Sequence, residues 1–394
     1  MSVEELLKVH GKPPREVYFD NENSGHVPRE VVEEMIPYFN SVGYGHPSIT
    51  HRPGWEAYEV IHRTKELLAE VLNAGGVGEF ALVHSGTEAN NLAVLGHAIA
   101  NREGGGKIVV SAIEHLSVIH PAEEAGRLFG FKVVRVPVDS EGFVDPEIFK
   151  EVVDRDTSLV SVQMVNHEIG TVQNVYELSK IAKEVNPKAV FHTDAADAFG
   201  KLPMDLKKLE YVDMVTLSSH KIHGPRGVGA LFIREGVRLE PILRGQLSSE
   251  KMWPGVENVP LIAGFRKAVE LAFQDFDINV AKMRMLRDVL VRGILDRVPE
   301  VLLNGPADFS RRAPDNANLS FLYVEGEALT VELSINGVYV SSGSACTSRI
   351  LEPSHVLLAI GRKHEEAHGS ILFKTTRYHT QEDIDYTLEV IPRA

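Results

Sequence analysis

The segment TLSSHKIHGPRGVGALF (216–232) sets Lys221 just after an apolar run and just before Gly224, Pro225, Gly227 and Gly229. A loop built this way can hold a lysine out of water at a strand end. Cationic neighbours would lower its pKa there, and its amine could condense with an aldehyde. Ser218 and His220 beside it could donate hydrogen bonds to a phosphate. A surface lysine in a turn is the plainer alternative, because glycine-rich turns are common.

Four further motifs carry complementary chemistry. HSGTEANNLAV (84–94) puts Ser85, Gly86 and Thr87 ahead of an apolar helical run, where free backbone N–H groups bind phosphate; a simple N-cap would use the same residues. In AVFHTDAADAFGKLPMDL (189–206), Asp194 follows a buried strand, so its carboxylate needs a cation such as a protonated pyridinium nitrogen, unless it only caps a helix. EHLSV (114–118) offers His115 as a stacking face and a proton-transfer nitrogen, although a lone histidine is more often structural. NHEIGTVQ (166–173) brings Asn166, whose amide could bond a ring hydroxyl or a substrate carboxylate, or only form a turn.

The elements that must position these motifs are legible from periodicity. Short β-branched runs, KIVVSAI (107–113), FKVVRVPV (131–138), TSLVSVQMV (157–165), AVFHTDA (189–195) and VDMVTLS (212–218), alternate with segments of helical period. That alternation predicts βαβ units and a parallel sheet flanked by helices, with ligands at the C-terminal strand ends, where all five motifs fall. From about residue 262 the pattern changes. A long helical stretch, LIAGFRKAVELAFQDF and NVAKMRMLRDVLVRGILDRV, leads into NANLSFLYV and GVYVSS, which read as strands of a smaller α+β domain.

Composition narrows the partners. The 394 residues carry 41 basic and 55 acidic side chains, a formal charge of -14 that argues against binding nucleic-acid phosphates or anionic lipid. The N-terminal stretch MSVEELLKVHGKPPREVYF lacks the apolar core of a signal peptide, and no apolar run is long enough to span a bilayer, so a cytoplasmic location is expected. The single cysteine, Cys346, excludes an intrachain disulfide and is either a buried hydrophobe or a reactive thiol. Its setting, SSGSACTS, is neither strand-like nor helical, which favours the reactive thiol on a loop.

Taken in order, HSGTEANN, EHLSV, NHEIGTVQ, HTDAADAFGK, SSHKIHGPRGVGALF and VSSGSACTSRILEPSHVLLAIG resemble the motif series of cysteine desulfurases in the class V aminotransferase superfamily. The likeness runs from VYFDNENS to TQEDIDYTLEVI, and the SSGSACTS form is similar to the subgroup serving iron-sulfur cluster assembly and tRNA thiolation. The resemblance implies an α/β protein of PLP-dependent transferase fold-type I. Its large, mainly parallel-sheet domain with helices on both faces would span 17–261. A smaller α+β domain, from 1–16 and 262–394, would carry the catalytic cysteine loop. It further implies a homodimer with a site built from both subunits, pyridoxal 5'-phosphate as cofactor, L-cysteine as substrate, and a sulfur-acceptor protein such as a cluster scaffold as partner. No metal is expected.

Residue by residue, the resemblance makes Lys221 the Schiff-base lysine, His115 the ring-stacking acid/base and Asp194 the pyridinium partner. Gly86, Thr87, Ser218 and His220 would surround the phosphate, and Asn166 would face the ring or substrate. Cys346 would attack the substrate sulfur and hold it as a persulfide while the remainder leaves as alanine. Four departures from the family pattern stand out. Asp197 replaces a Gln beside the ring, Val256 stands near a phosphate-binding Thr, FDNENSGHVP departs from Ala-Thr-Thr, and Leu372 replaces the Arg that anchors the substrate carboxylate. Positions two apart on a strand share a face, so Lys374 is the expected substitute anchor, with Arg377 a more distant candidate and a solvated Lys374 the plainer alternative.

Three rival readings follow. One is another PLP-dependent lyase or aminotransferase of the same fold. Another is a metal-dependent hydrolase using His192, Asp194, Asp197, His220 and His223, although such spacings arise readily by chance. The third is a catalytically weak scaffold that binds an assembly partner.

Overall fold

The computed structural model describes residues 11–245, 252, 255–342 and 353–394. Its strands begin with β1 (Val17–Tyr18), β2 (Phe80–Val83), β3 (Lys107–Ser111), β4 (Lys132–Val136) and β5 (Thr157–Ser161). They continue with β6 (Val190–Asp194), β7 (Met214–Ser218), β8 (Gly229–Ile233) and β9 (Val301–Leu303). The last are β10 (Asn316–Phe321), β11 (Val338–Tyr339), β12 (Ser341–Ser342) and β13 (Ser370–Lys374). All five strands expected from the β-branched runs are present, as β3 to β7, and they pair with one another in parallel.

The larger sheet has seven strands in the order β2-β8-β7-β6-β5-β3-β4, and β8 alone runs against its neighbours β7 and β2. Both faces are covered, which is why β3 reads as an unbroken apolar run: Val109 packs into one core with Val60, Ile61 and Phe265, while Ile108 and Val110 pack into the other with Leu92 and Val118. Helices at Arg52–Val71 and Val259–Phe273 cover the first face, and the helix Leu116–Phe129 covers the second. The last of these is closed by Gly130 at φ 75, a left-handed position that suits glycine.

The second sheet, β12-β13-β10-β9, is antiparallel, and Leu319, Phe321, Ile371 and Phe373 point into a separate core with Leu286 and Leu290 of the helix Phe276–Arg297. The packing moves both expected domain limits. Val17 and Phe19 belong to this second core, because β1 pairs with β11, so the small unit claims the chain beyond residue 16. The helix Val259–Phe273 belongs with the large unit, because Ile262, Phe265, Val269 and Ala272 bury against its first core. The division therefore falls between that helix and the next, rather than at 262. Among the described residues no helix is long and apolar enough to cross a membrane.

Candidate active site

The C-terminal ends of β2, β3, β5, β6 and β7 open onto one cavity of about 230 Å³. Each motif from the sequence contributes to it, and residues of β12 and β13 close it from the small unit. At one part of the rim Ser85 caps the helix that begins at Gly86, accepting from Glu88 N at 3.0 Å. Gly86 has to be small, since a Cβ there would stand 3.2 Å from Ser218 Cβ. Thr87, Ser218 and His220 line the same cavity, with Ser218 Oγ 3.0 Å from His220 Nδ1. Burial pushes His220 down to about 3, so its ring is neutral.

Asp194 ends β6 and faces the cavity. One of its oxygens accepts from Asn90 Nδ2 at 2.7 Å and the other from Ala196 N at 2.9 Å, so it also caps the turn that follows. Burial raises its carboxyl, and no Lys or Arg among the described residues lies within salt-bridge distance. His115 is the N-cap of the helix Leu116–Phe129, and its Nδ1 accepts from Ser117 N at 3.1 Å. Because that backbone N–H must donate, the neutral ring carries its hydrogen on Nε2. Burial lowers the pKa of His115, so the neutral form is favoured.

Lys221 sits in the 3-10 turn Ser219–Ile222 after β7 and reaches the cavity. Its ammonium lies 3.0 Å from Asp197 Oδ2 and also pairs with Glu22 Oε1. The lowered pKa expected from cationic neighbours is not what this setting produces. Burial would lower it, but Asp197 and Glu22 more than reverse that and leave it raised. Asp197 is in turn held ionised: burial would raise its carboxyl, yet Lys221, Lys374 and Lys201 bring it well below the usual range. It therefore has no proton to donate to a ring oxygen.

Two expected site residues stand elsewhere. Asn166 is fully buried and absent from the cavity wall, because its amide is spent on the backbone: Nδ2 donates to Ile113 O at 2.9 Å, and Oδ1 accepts from Glu168 N at 2.9 Å and Ile169 N at 2.8 Å. The next residue, His167, turns into the cavity instead, 5.0 Å edge-on from the His115 ring. Lys374 is 1% exposed and also absent from the wall. Its Nζ turns to Asp197, Glu22 and Asp315, at 2.8, 3.2 and 3.8 Å, so it is not disposed as a substrate anchor. Leu372 does line the cavity, opposite Ser341 in the strand register.

Val256 is exposed and lies outside the cavity wall, and Cys346 lies outside the described residues. Glu22, Gln163, His167 and Glu168 line the site without having been read as site residues. For His167 and Glu168 a signal was present, since NHEIGTVQ sits at a strand end, but the sequence does not say which side chain of a turn faces inward.

The metal reading finds no support in this arrangement. His192 is buried between Ser161 Oγ at 2.8 Å and Thr216 Oγ1 at 3.0 Å and is pushed down to about 3, while His223 Nδ1 donates to His26 O at 3.1 Å. The chain also contains an H-E-x-x-H spacing, His364 to His368, on a five-residue helix whose two imidazole centroids are 6.3 Å apart. No group of three or more metal-binding side chains occurs among the described residues.

Comparison with known proteins agrees with this geometry. The family model for aminotransferase class-V matches residues 17–387. Cysteine desulfurase IscS 1 of Archaeoglobus fulgidus is 44% identical over 375 residues, covering 95% of this chain and 96% of its own. Cysteine desulfurase IscS of Dictyoglomus turgidum is 42% identical over 379 residues, covering 96% and 94%. Among solved structures, a NifS-like protein superposes with a TM-score of 0.88 at 34% identity, covering 96% of this chain and 98% of its own. A structure described as SspA in complex with cysteine gives 0.78 at 28% identity, covering 92% and 99%. The match to the family model over residues 17–387, with relatives 44% and 42% identical over nearly the whole length, leads to one conclusion: this chain belongs to the class V aminotransferase family.

Proposed function

We propose that the chain is a cysteine desulfurase that takes sulfur from L-cysteine, releases alanine and carries the sulfur as a persulfide on Cys346. The observation that carries this reading is the convergence of Lys221, Asp194 and His115 on one cavity whose far rim is Gly86, Thr87, Ser218 and His220. The names of its relatives agree with it. The residues that flank the Cys346 segment, Ser341 and Ser342 before it and Ser354 and His355 after it, all line the same cavity.

The donor set suits pyridoxal 5'-phosphate. Asp194 offers a buried carboxylate facing the cavity, with no Lys or Arg partner among the described residues. When bound, this cofactor supplies an aldehyde that captures amines and a protonated ring that withdraws electrons. Asp194 would hold the ring nitrogen, and Thr87, Ser218 and neutral His220 would take the phosphate. Lys221 Nζ is the group that takes a proton from the substrate α-carbon and returns it. His115, with its hydrogen on Nε2, is a donor against the reacting face. Cys346 as thiolate attacks the substrate sulfur, forming an S–S bond as the C–S bond breaks.

The same reading makes the protein a homodimer that hands sulfur to an acceptor such as an iron-sulfur cluster scaffold. Ile36, Phe39, Tyr44, Trp55 and Tyr58, close in sequence, are all exposed and would suit cover by a second copy. The deciding experiment is to add pyridoxal phosphate, then L-cysteine with a reducing thiol that discharges the persulfide, to the purified protein, following the visible band and the release of sulfide and alanine. Equal yields of the two products are expected. A protein that forms the band but releases neither product would exclude the desulfurase. One observation favours a second reading, an amino-acid substrate other than cysteine: among the described residues the cavity wall has Leu372, no Arg and no Lys besides Lys221. Parallel assays with other β-substituted amino acids separate the two.

A further inference from the structure

Behind the cavity, two lysines share two carboxylates, one oxygen each. Asp197 gives Oδ2 to Lys221 at 3.0 Å and Oδ1 to Lys374 at 2.8 Å. Glu22 gives Oε1 to Lys221 and Oε2 to Lys374, the latter at 3.2 Å. The square extends to a third pair, with Lys201 Nζ 2.6 Å from Asp315 Oδ2 and 3.5 Å from Asp197 Oδ1, and Lys374 Nζ 3.8 Å from Asp315 Oδ2. These six side chains are all 10% exposed or less, and three ammonium charges balance three carboxylates.

The elements that supply them are far apart in sequence. Glu22 follows β1, Asp197 and Lys201 follow β6, Lys221 follows β7, Asp315 precedes β10, and Lys374 ends β13. Only Lys221, Glu22 and Asp197 also touch the cavity. Lys374 Nζ donates to Asp197 Oδ1 at 2.8 Å and lies 3.2 and 3.8 Å from Glu22 and Asp315, so a substrate carboxylate beside it would meet three like charges.

We propose that Lys374 is a positioning residue that sets how tightly Lys221 holds its proton, by competing for the two carboxylates the lysines share. The proposal rests on Lys221 being the reacting lysine, as argued under the proposed function. With Lys374 in place, loss of the Lys221 proton takes the six-group cluster from neutral to one negative charge. Without Lys374, the same loss would take it from one negative charge to two, in a site where burial makes each charge costly. Lys374 thus makes the free amine of Lys221 accessible. The other charged or titratable groups facing Lys221 are Asp194, His115 and His167 across the cavity, His220 and His223 in or beside its own turn, Asp20 after β1, and Lys201, Asp315 and Arg377 behind it. None of these changes in the test below.

Cyanate carbamylates neutral amines and spares ammonium, so peptide mass spectrometry of Lys221 after brief cyanate exposure of the cofactor-free protein reads its proton affinity directly. Lys374→Met should slow labelling of Lys221 at fixed pH by about tenfold or more. Asp197→Asn and Glu22→Gln should each speed it, and Lys374→Met combined with Asp197→Asn should return toward the wild-type rate. In the pyridoxal-phosphate-loaded protein the pH midpoint of the visible band should rise in Lys374→Met and fall in the two carboxylate variants. If Lys374→Met fails to fold, Lys374→Gln, which removes the same charge but keeps a polar side chain for Asp197, is read in the same way. Unchanged labelling in the folded Lys374 variant, or in either carboxylate variant, overturns the proposal. The cyanate measurement needs neither cofactor nor turnover, so its failure is distinct from failure of the desulfurase reading.

Discussion

Ser354 Oγ donates to Glu168 Oε2 across 2.5 Å, joining the residue that caps the helix His355–Ala359 to the turn after β5 at the cavity wall. Glu168 is 4% exposed, and its other oxygen, Oε1, has no hydrogen-bond partner among the described residues.

Burial pushes the Glu168 carboxyl up to about 8, so it is protonated in the folded protein at neutral pH. A folded pKa above the unfolded one gives stability that is full below the unfolded value of 4.5 and is lost as pH rises toward 8. Glu168→Gln keeps a neutral side chain and should lose this slope. Urea unfolding at several pH values between 5 and 8 should show the variant gaining on wild type by about 1.4 kcal/mol per pH unit. Parallel curves for the two proteins would mean that Glu168 is ionised in the fold.

Lys221→Ala should abolish the visible band formed with pyridoxal phosphate, because Lys221 is the lysine that the cavity wall presents among the described residues. Cys346→Ser should keep the band and lose sulfide release, since a hydroxyl is a poor acceptor for sulfur. Absorption spectra and a sulfide assay on the two variants check both outcomes.

Adjacent residues of NHEIGTVQ should separate by phenotype. Asn166→Ala strips partners from Ile113 O, Glu168 N and Ile169 N, and should cost about 3 kcal/mol in urea unfolding. His167 has a buried Nδ1 with no hydrogen-bond partner among the described residues, so His167→Ala should cost less stability while changing KM for cysteine. A large KM effect from Asn166→Ala in still-folded protein would restore it to the cavity.

Leu372→Arg adds a guanidinium to a cavity wall that has no arginine among its described residues. If the substrate is a free amino acid, a charge-assisted bond of about 1.5 to 3 kcal/mol should raise kcat/KM for cysteine roughly 10- to 150-fold. Steady-state kinetics decide this. No gain would indicate that the carboxylate already has a partner.

Much of this protein was legible in the residues alone, because the signals are local. A parallel sheet covered on both faces demands continuous apolar strands, and β3 to β7 carry them. Chain direction then puts whatever follows each strand at one edge of the sheet, so Thr87, His115, Asp194, Ser218 and Lys221 were bound to meet. Periodicity could not place the domain limits. Those depend on which core Phe19 and Phe265 bury against, and both lie in apolar text that suits either.

Only the tertiary structure decided the direction of side chains in turns and the company of charges. Asn166 and His167 are one residue apart in a turn, and the backbone's hydrogen bonds to Asn166 are what leave His167 facing inward. Lys374 shares a strand face with Leu372, as its spacing implies, yet the charge it meets comes from Glu22, Asp197 and Asp315 on three distant segments. Electrostatic partners are set by distance through the fold rather than along the chain, so the sequence could supply the lysine but not its three carboxylates.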